Sequence, residues 1–235
     1  MNLETEQIDR QLQEVRAEYL SRMTGGEGEL LRQVEEYTAG RGGKMLRPRM
    51  LLAAYNTLSP NAPTDQPLPR RILLLATVVE MLHNASLLHD DVIDRDLTRR
   101  GQPSVNARWG NAVAILVGDY HLVSIMQLIS EIGDNDITQK INATVKAMVE
   151  AELLQLQMKN LDCANNSSLY LRIIDGKTAN LFALAAEFGN PALRDYGLHY
   201  GRLFQLRDDV SDEETTPFTA DLIAQEEKIL QEFNL

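Results

Sequence analysis

A chain of 235 residues, 44% hydrophobic and 24% charged, has an ordinary globular composition and can bury a sizeable core as one large domain or two small ones. A formal net charge of -11 argues against general nucleic-acid binding, which needs a basic face. The single cysteine, Cys163, excludes an internal disulfide and suits a reducing compartment such as the cytoplasm, and the polar start MNLETEQIDRQ lacks the basic and apolar regions of a secretory signal.

Leu3, Ile8, Leu12, Val15, Tyr19 and Leu20 recur at helical spacing and predict a helix over about 3–22, after which Gly25, Gly26 and Gly28 interrupt. A second helix is predicted over about 28–39, ending at Gly40 and Gly42-Gly43. Pro48 suits the first turn of a third, over about 47–58, where its missing N–H is tolerated. The stretch SPNAPTDQPLP (59–69) reads as a loop.

One long helix over about 71–94 is apolar on nearly every side and so belongs in the middle of a domain. Its apolar tract starts at Ile72 but is broken by Glu80, His83 and Asn84, which reads as a buried helix and not as a membrane span. The basic loop TRRGQPS (98–104) follows, and further helices are predicted over about 111–131, 136–159, 168–176, 177–188, 192–212 and 219–232. No strand alternation and no repeat of solenoid length is present, so the expectation is an all-α chain.

Two segments set acid against apolar residues: LLHDDVIDRD (87–96) and FQLRDDVSDEE (204–214). Each contains Asp-Asp-x-x-Asp. In the first, Asp90 and Asp94 are four apart and share a helix face, with Asp91 beside them; like charges at that spacing repel. A cation is therefore expected to hold the cluster, and oxygen-only ligands point to a hard one such as Mg²⁺ bound together with substrate phosphates. Asp208, Asp209 and Asp212 repeat the pattern. Basic residues accompany the acids: Lys44 and Arg47 after a glycine turn, Arg99 and Arg100 after the first cluster, Lys177 and Thr178 at an expected helix start. An acidic chain that keeps cations beside acid clusters is built for diphosphates bridged by metal, with arginine giving bidentate contacts and lysine a point charge.

GGKMLRP (42–48), LLHDDVIDRDLTRRGQPS (87–104), GKTANLFALAAEFG (176–189) and FQLRDDVSD (204–212), in this order, strongly resemble the trans-isoprenyl diphosphate synthases, or polyprenyl synthetases. The resemblance covers about 28–212 and implies a single-domain helical bundle around a central cavity with the aspartate motifs at its mouth. It implies ionisation of an allylic diphosphate, attack by isopentenyl diphosphate and loss of a proton. Residue by residue, it implies Mg²⁺ ligands at Asp90, Asp91, Asp94, Asp208, Asp209 and Asp212. It places Lys44, Arg47, His83 and Arg100 on isopentenyl diphosphate, Arg99 and Lys177 on the allylic diphosphate, and Thr178 and Gln205 near the developing cation. Ala85 and Ser86, five and four residues before Asp90, stand where short-chain members carry aromatic floors; their small side chains imply a medium- or long-chain product, with Val79 and Leu82 as alternative floor residues. The family is commonly dimeric, which implies a homodimer.

Met45 stands where GGKRxRP members have arginine, and Ala151 where many have glycine before glutamate. After the second motif, relatives continue with a lysine-bearing loop and further helices, whereas here EETTPFTADLIAQEEKILQEFNL follows, leaving Lys228 as the candidate substitute and a C-terminal region that reads as short. A terpene cyclase of the same fold generally lacks a GGKxxRP-type site. The reading from another class is a non-catalytic or regulatory subunit of a heteromeric synthase, against which both intact aspartate motifs speak.

Overall fold

The structure, a computed structural model, describes residues 3–25, 28–40, 43–58, 66–158, 166–212 and 215–233. Gly26, Gly42, Cys163 and most of the loop read at 59–69 lie outside them. Helical periodicity becomes helix almost everywhere: α1 (Leu3–Thr24), α2 (Glu29–Gly40), α3 (Leu46–Thr57), α4 (Arg70–Ile93), α5 (Val105–Trp109), α6 (Asn111–Ile132), α7 (Asn135–Met158), α8 (Ser167–Ile174), α9 (Asn180–Gly189), α10 (Arg194–Ser211) and α11 (Thr219–Glu232). Among the described residues the structure is all-α apart from one hairpin of two short strands, Thr98–Arg99 paired antiparallel with Gln102–Pro103. The chain divides into two compact units: Met1–Leu52 with Asn61–Asp134, and Ala53–Pro60 with Asn135–Leu235.

In the first unit α4 is the core helix. Leu74, Leu75, Val78, Val79, Met81 and Leu82 are all buried along it, and each fully buried aliphatic chain of this kind contributes about 1.5–3 kcal/mol. Near its acidic end Val34, Leu88, Val105, Ala114 and Val117 close a cluster with Leu31, Val92, Trp109 and Val113 around it. Helix α6 lies close because Gly118 has no side chain: a Cβ there would stand 2.4 Å from His89 Nε2. The short α5, which periodicity does not predict, is capped by Ser104, whose hydroxyl accepts from the Ala107 amide and donates to the Asp96 carbonyl.

By length and composition α4 and α6 are both apolar enough to cross a membrane. The apolar tract evident in the sequence is that of α4, whose span is 61% buried; that of α6 is 39% buried and leaves Leu116, Val123 and Met126 more than half exposed.

In the second unit α10 packs along α9, made possible by glycines one turn apart. A Cβ on Gly197 would lie 2.6 Å from the Phe182 carbonyl oxygen, and one on Gly201 2.6 Å from Ala179 Cα. Helix α11 docks on the same side chains as α8, with Ile174, Leu206 and Leu222 buried together among Tyr170, Leu171, Phe218 and Ile223. The break expected between residues 176 and 177 is absent. Instead α8 runs into α9 through one π-helical turn, Asp175–Ala179. Helix α7 presses on that turn: a Cβ on Gly176 would fall 2.2 Å from Ala151 Cβ, so the methyl at 151 occupies the room that Gly176 leaves.

Candidate active site

Three described residues other than glycine have positive φ: Met45 (45°), Arg95 (59°) and Arg100 (54°). Such backbone is uncommon for these residue types and persists only where the surroundings over-determine it. All three adjoin or belong to the acid and base clusters of the first unit. Arg100 and Gly101 (φ 73°) form the tip of the hairpin, the pair of positive φ values that a tight two-residue turn with strand-matched twist requires. The hairpin brings the Arg100 guanidinium against Gly43, where an added Cβ would lie 2.9 Å from Arg100 Nη1. The glycine of the 42–48 motif is thus the floor on which Arg100 rests.

Arg47, buried at the start of α3, reaches His83 on α4, with Nη1 3.1 Å from His83 Nε2. Burial, followed by the charges of Arg47, Arg100 and Arg99, holds the His83 imidazole well below its ordinary pKa. Glu80, one turn earlier on α4 and buried, has its carboxyl pushed up by burial, against the pull of Arg47 and Arg100. Its Oε2 has no hydrogen-bond partner among the described residues. The residue lines a small recess open to solvent, together with Arg16, Tyr19, Gly43, Asn84 and Arg100. In the sequence Glu80 registers only as an interruption of an apolar helix, and that interruption is its one signal. Lys44 is exposed beside Met45.

Seven residues beyond His83, Asp90 stands on the same face of α4, and Asp94 caps the helix one turn on. Both are partly exposed, whereas Asp91 is buried. Arg99 donates to Asp91 Oδ1 through Nε at 2.8 Å and also through Nη2, and it touches Asp96 Oδ2 at 3.2 Å. Asn106 secures the segment by donating to the carbonyl oxygens of Asp91 and Asp96. Below the acids, Ser86 is half-buried, with its hydroxyl donating to the His83 carbonyl, while Ala85, Val79 and Leu82 are buried.

The second unit repeats the division of labour. Asp208 and Asp212 are exposed at the end of α10, and Asp209 is buried. Tyr170 donates to Asp209 Oδ2 and Gln205 Nε2 to Oδ1 at 2.7 Å; Thr178 in turn donates to Gln205 Oε1 at 2.7 Å. Lys177, in the π turn and not at a helix start, pairs with Glu152 of α7 at 2.7 Å. Neither Tyr170 nor Glu152 carries a local sequence signal as a site residue. Lys228 is exposed on α11, away from the buried Leu222 and Glu226.

The donor set suits a hard cation, since the partly exposed carboxylates are oxygen ligands only. Among the described residues, no three His, Cys, Asp or Glu side chains converge into a preformed cage.

The polyprenyl synthetase family model matches residues 28–223. The chain belongs to the polyprenyl synthetase family. This family member is 37% identical over 193 residues to an all-trans-nonaprenyl-diphosphate synthase (geranyl-diphosphate specific) of Rhodobacter capsulatus, a match covering 78% of the chain and 57% of the relative. A crystal structure of a decaprenyl diphosphate synthase from Rhodobacter capsulatus superposes with a TM-score of 0.80 at 34% identity, over 89% of this chain and 65% of that one. A polyprenyl synthase from Caulobacter crescentus CB15, complexed with calcium and isoprenyl diphosphate, superposes with a TM-score of 0.76 at 34% identity, covering 86% of this chain and 62% of that one. This polyprenyl synthetase chain thus spans less than two thirds of the length of these relatives.

Proposed function

We propose that the chain acts as one catalytic domain, a Mg²⁺-dependent prenyltransferase that condenses isopentenyl diphosphate with an allylic diphosphate to make a medium- or long-chain polyprenyl diphosphate. The observation that carries this reading is the order of groups on α4, where His83, with Arg47 against it, lies two turns before Asp90 and three before Asp94 on one face. Family membership and the long products in the names of the nonaprenyl and decaprenyl relatives support it.

In this reading Lys44, Arg47, His83 and Arg100 hold the diphosphate of isopentenyl diphosphate, and Arg99 and Lys177 grip that of the allylic substrate. Asp90, Asp94, Asp208 and Asp212 offer accessible carboxylate oxygens to Mg²⁺. Asp91 and Asp209, the other two members of the clusters, set the orientation of Arg99 and Gln205 through the hydrogen bonds already described. Bound Mg²⁺ supplies Lewis-acid neutralisation of the departing diphosphate. The chain's own cations stabilise the same developing charge from fixed positions, which is where most of the rate enhancement of such a step arises. Thr178 and Gln205 present oxygen dipoles near the allylic cation, and the apolar side of α4 below Asp90, including Leu87, keeps water from it. A homodimer fits the exposed apolar residues Leu116, Val123 and Met126 of α6, and the absence of a disulfide-forming pair fits the cytoplasm.

Purified protein incubated with Mg²⁺, isopentenyl diphosphate and farnesyl or geranylgeranyl diphosphate is expected to elongate the primer, read by chromatographic sizing of the products. A folded sample that makes no longer product overturns the reading in favour of a non-catalytic subunit.

A further inference from the structure

The π turn is held from α10 by two rungs of matched spacing. Arg202 and Gln205, three apart on α10, meet Asp175 and Thr178, three apart on the turn. The first rung is the stiffer one. Arg202 donates through Nε to Asp175 Oδ1 at 2.6 Å and through Nη2 to Oδ2 at 2.8 Å, the planar two-point grip that fixes both partners' orientation. The third arm of the same guanidinium, Nη1, lies 3.5 Å from Glu226 Oε1. Glu226 is the buried carboxylate of α11, and His199, three residues before Arg202, places Nδ1 2.5 Å from its Oε2.

A π turn has poorer local geometry than an α-helix, and it endures where side chains outside the helix fix it. Its extra residue also rotates the helix beyond it, so the directions of Lys177 and Thr178 depend on the turn staying wide. Asp175 opens the turn, two residues before Lys177. Fixing Asp175 therefore fixes the backbone that carries the lysine, whose ammonium Glu152 meets from α7. Glu226 stands on the far side of the guanidinium from Asp175, so Arg202 sits between two carboxylates and has one preferred pose.

We propose that Arg202, aimed by Glu226, is a positioning residue that keeps the π turn wide and Lys177 and Thr178 in place for the allylic diphosphate. Helix α11, for which the sequence offers no role beyond Lys228, is then a brace for the substrate lysine. The part concerning the allylic diphosphate rests on the function proposed above; the part concerning the turn does not.

The test uses the full chain with Arg202→Lys, which keeps the charge but loses the fork, Glu226→Gln, which keeps the shape, and Glu227→Gln as a control. Glu227 pairs with exposed Arg207 of α10. Amide hydrogen exchange over residues 175–179 is expected to speed up in the first two variants. Their KM for the allylic diphosphate should rise about tenfold while that for isopentenyl diphosphate stays within about twofold. The control should match the parent in every measurement. Unchanged exchange at 175–179, or both KM values rising together, overturns the proposal. Should Arg202→Lys fail to fold, the isosteric Glu226→Gln decides alone. If the parent does not elongate a primer, the proposed function fails, while exchange still decides whether the brace exists.

Discussion

Arg47 hydrogen-bonds His83, with Nη1 3.1 Å from Nε2. A guanidinium only donates, so His83 Nε2 is the acceptor and the ring is neutral with its proton on Nδ1. The lowered pKa of His83, caused first by burial and then by three arginines, agrees. His83→Gln, which can offer an amide oxygen at the same place, should retain most activity. His83→Ala should raise KM for isopentenyl diphosphate by about tenfold. Steady-state kinetics with each substrate varied in turn checks this, and equal effects of the two variants would count against a hydrogen-bonding role.

The two adjacent aspartates of the first motif should behave differently on mutation. Asp91→Asn removes the anion from a pair whose carboxylate is buried and whose arginine is about one-third exposed. Discounted for that exposure, the loss is about 2 kcal/mol of folding stability. Asp90→Asn should leave stability near that of the parent while raising the Mg²⁺ concentration needed for half-maximal rate. Thermal melts and a Mg²⁺ titration of activity separate the two outcomes.

Small residues under the first motif carry the expectation of a long product, and burial now distinguishes them. Ala85 is 2% exposed, so Ala85→Phe overpacks the core, at a cost of about 1–3 kcal/mol. Ser86 is half-buried on the Asp90 side of α4, and Ser86→Phe should shorten the product with a smaller loss of stability. Unchanged product length in Ser86→Phe would move the floor down to Val79 or Leu82.

Between α1, α2 and α6 a buried chain of groups has a countable set of protons. His121 Nδ1 donates to the Val117 carbonyl, so in the neutral ring Nε2 accepts from the Tyr19 hydroxyl at 2.8 Å. The Tyr19 hydroxyl also lies within donating distance of Glu35 Oε2, at 3.1 Å, so the phenol's one proton is shared between two acceptors. Burial, against the Tyr19 hydrogen bond, pushes Glu35 up to about 7, and burial lowers His121 to about 4. Glu80 beside Tyr19 and His89 near His121 add their fields. From pH 4.5 to about 7 folded Glu35 keeps a proton that the unfolded chain has lost, so its contribution is full below pH 4.5 and lost as pH rises through 7. His121 acts in the opposite sense: its contribution is present above pH 6.5 and lost as pH falls through about 4. In the parent the two slopes oppose each other. Glu35→Gln removes one of them, and stability from urea melts should then climb by up to about 1.4 kcal/mol per pH unit from pH 4 to 6.5. Parallel profiles for parent and variant would refute this proton arrangement.

Helix positions are legible in the sequence because they arise from contacts three and four residues apart, which any stretch of chain displays by itself. The same arithmetic puts Asp90 and Asp94 on one face and marks two acid clusters as a pair. It cannot say which aspartate of each cluster turns inward, because that depends on partners distant in sequence: Arg99 and Asn106 for Asp91, Tyr170 and Gln205 for Asp209. Nor can it place the π turn, which has no residue signature and exists where Ala151, Gly201 and Arg202 close on one segment from two helices. Local periodicity determined what the elements are and where the acids lie along them. Packing between elements decided which charges are buried and held, since only there does desolvation make an unpartnered charge too costly to keep.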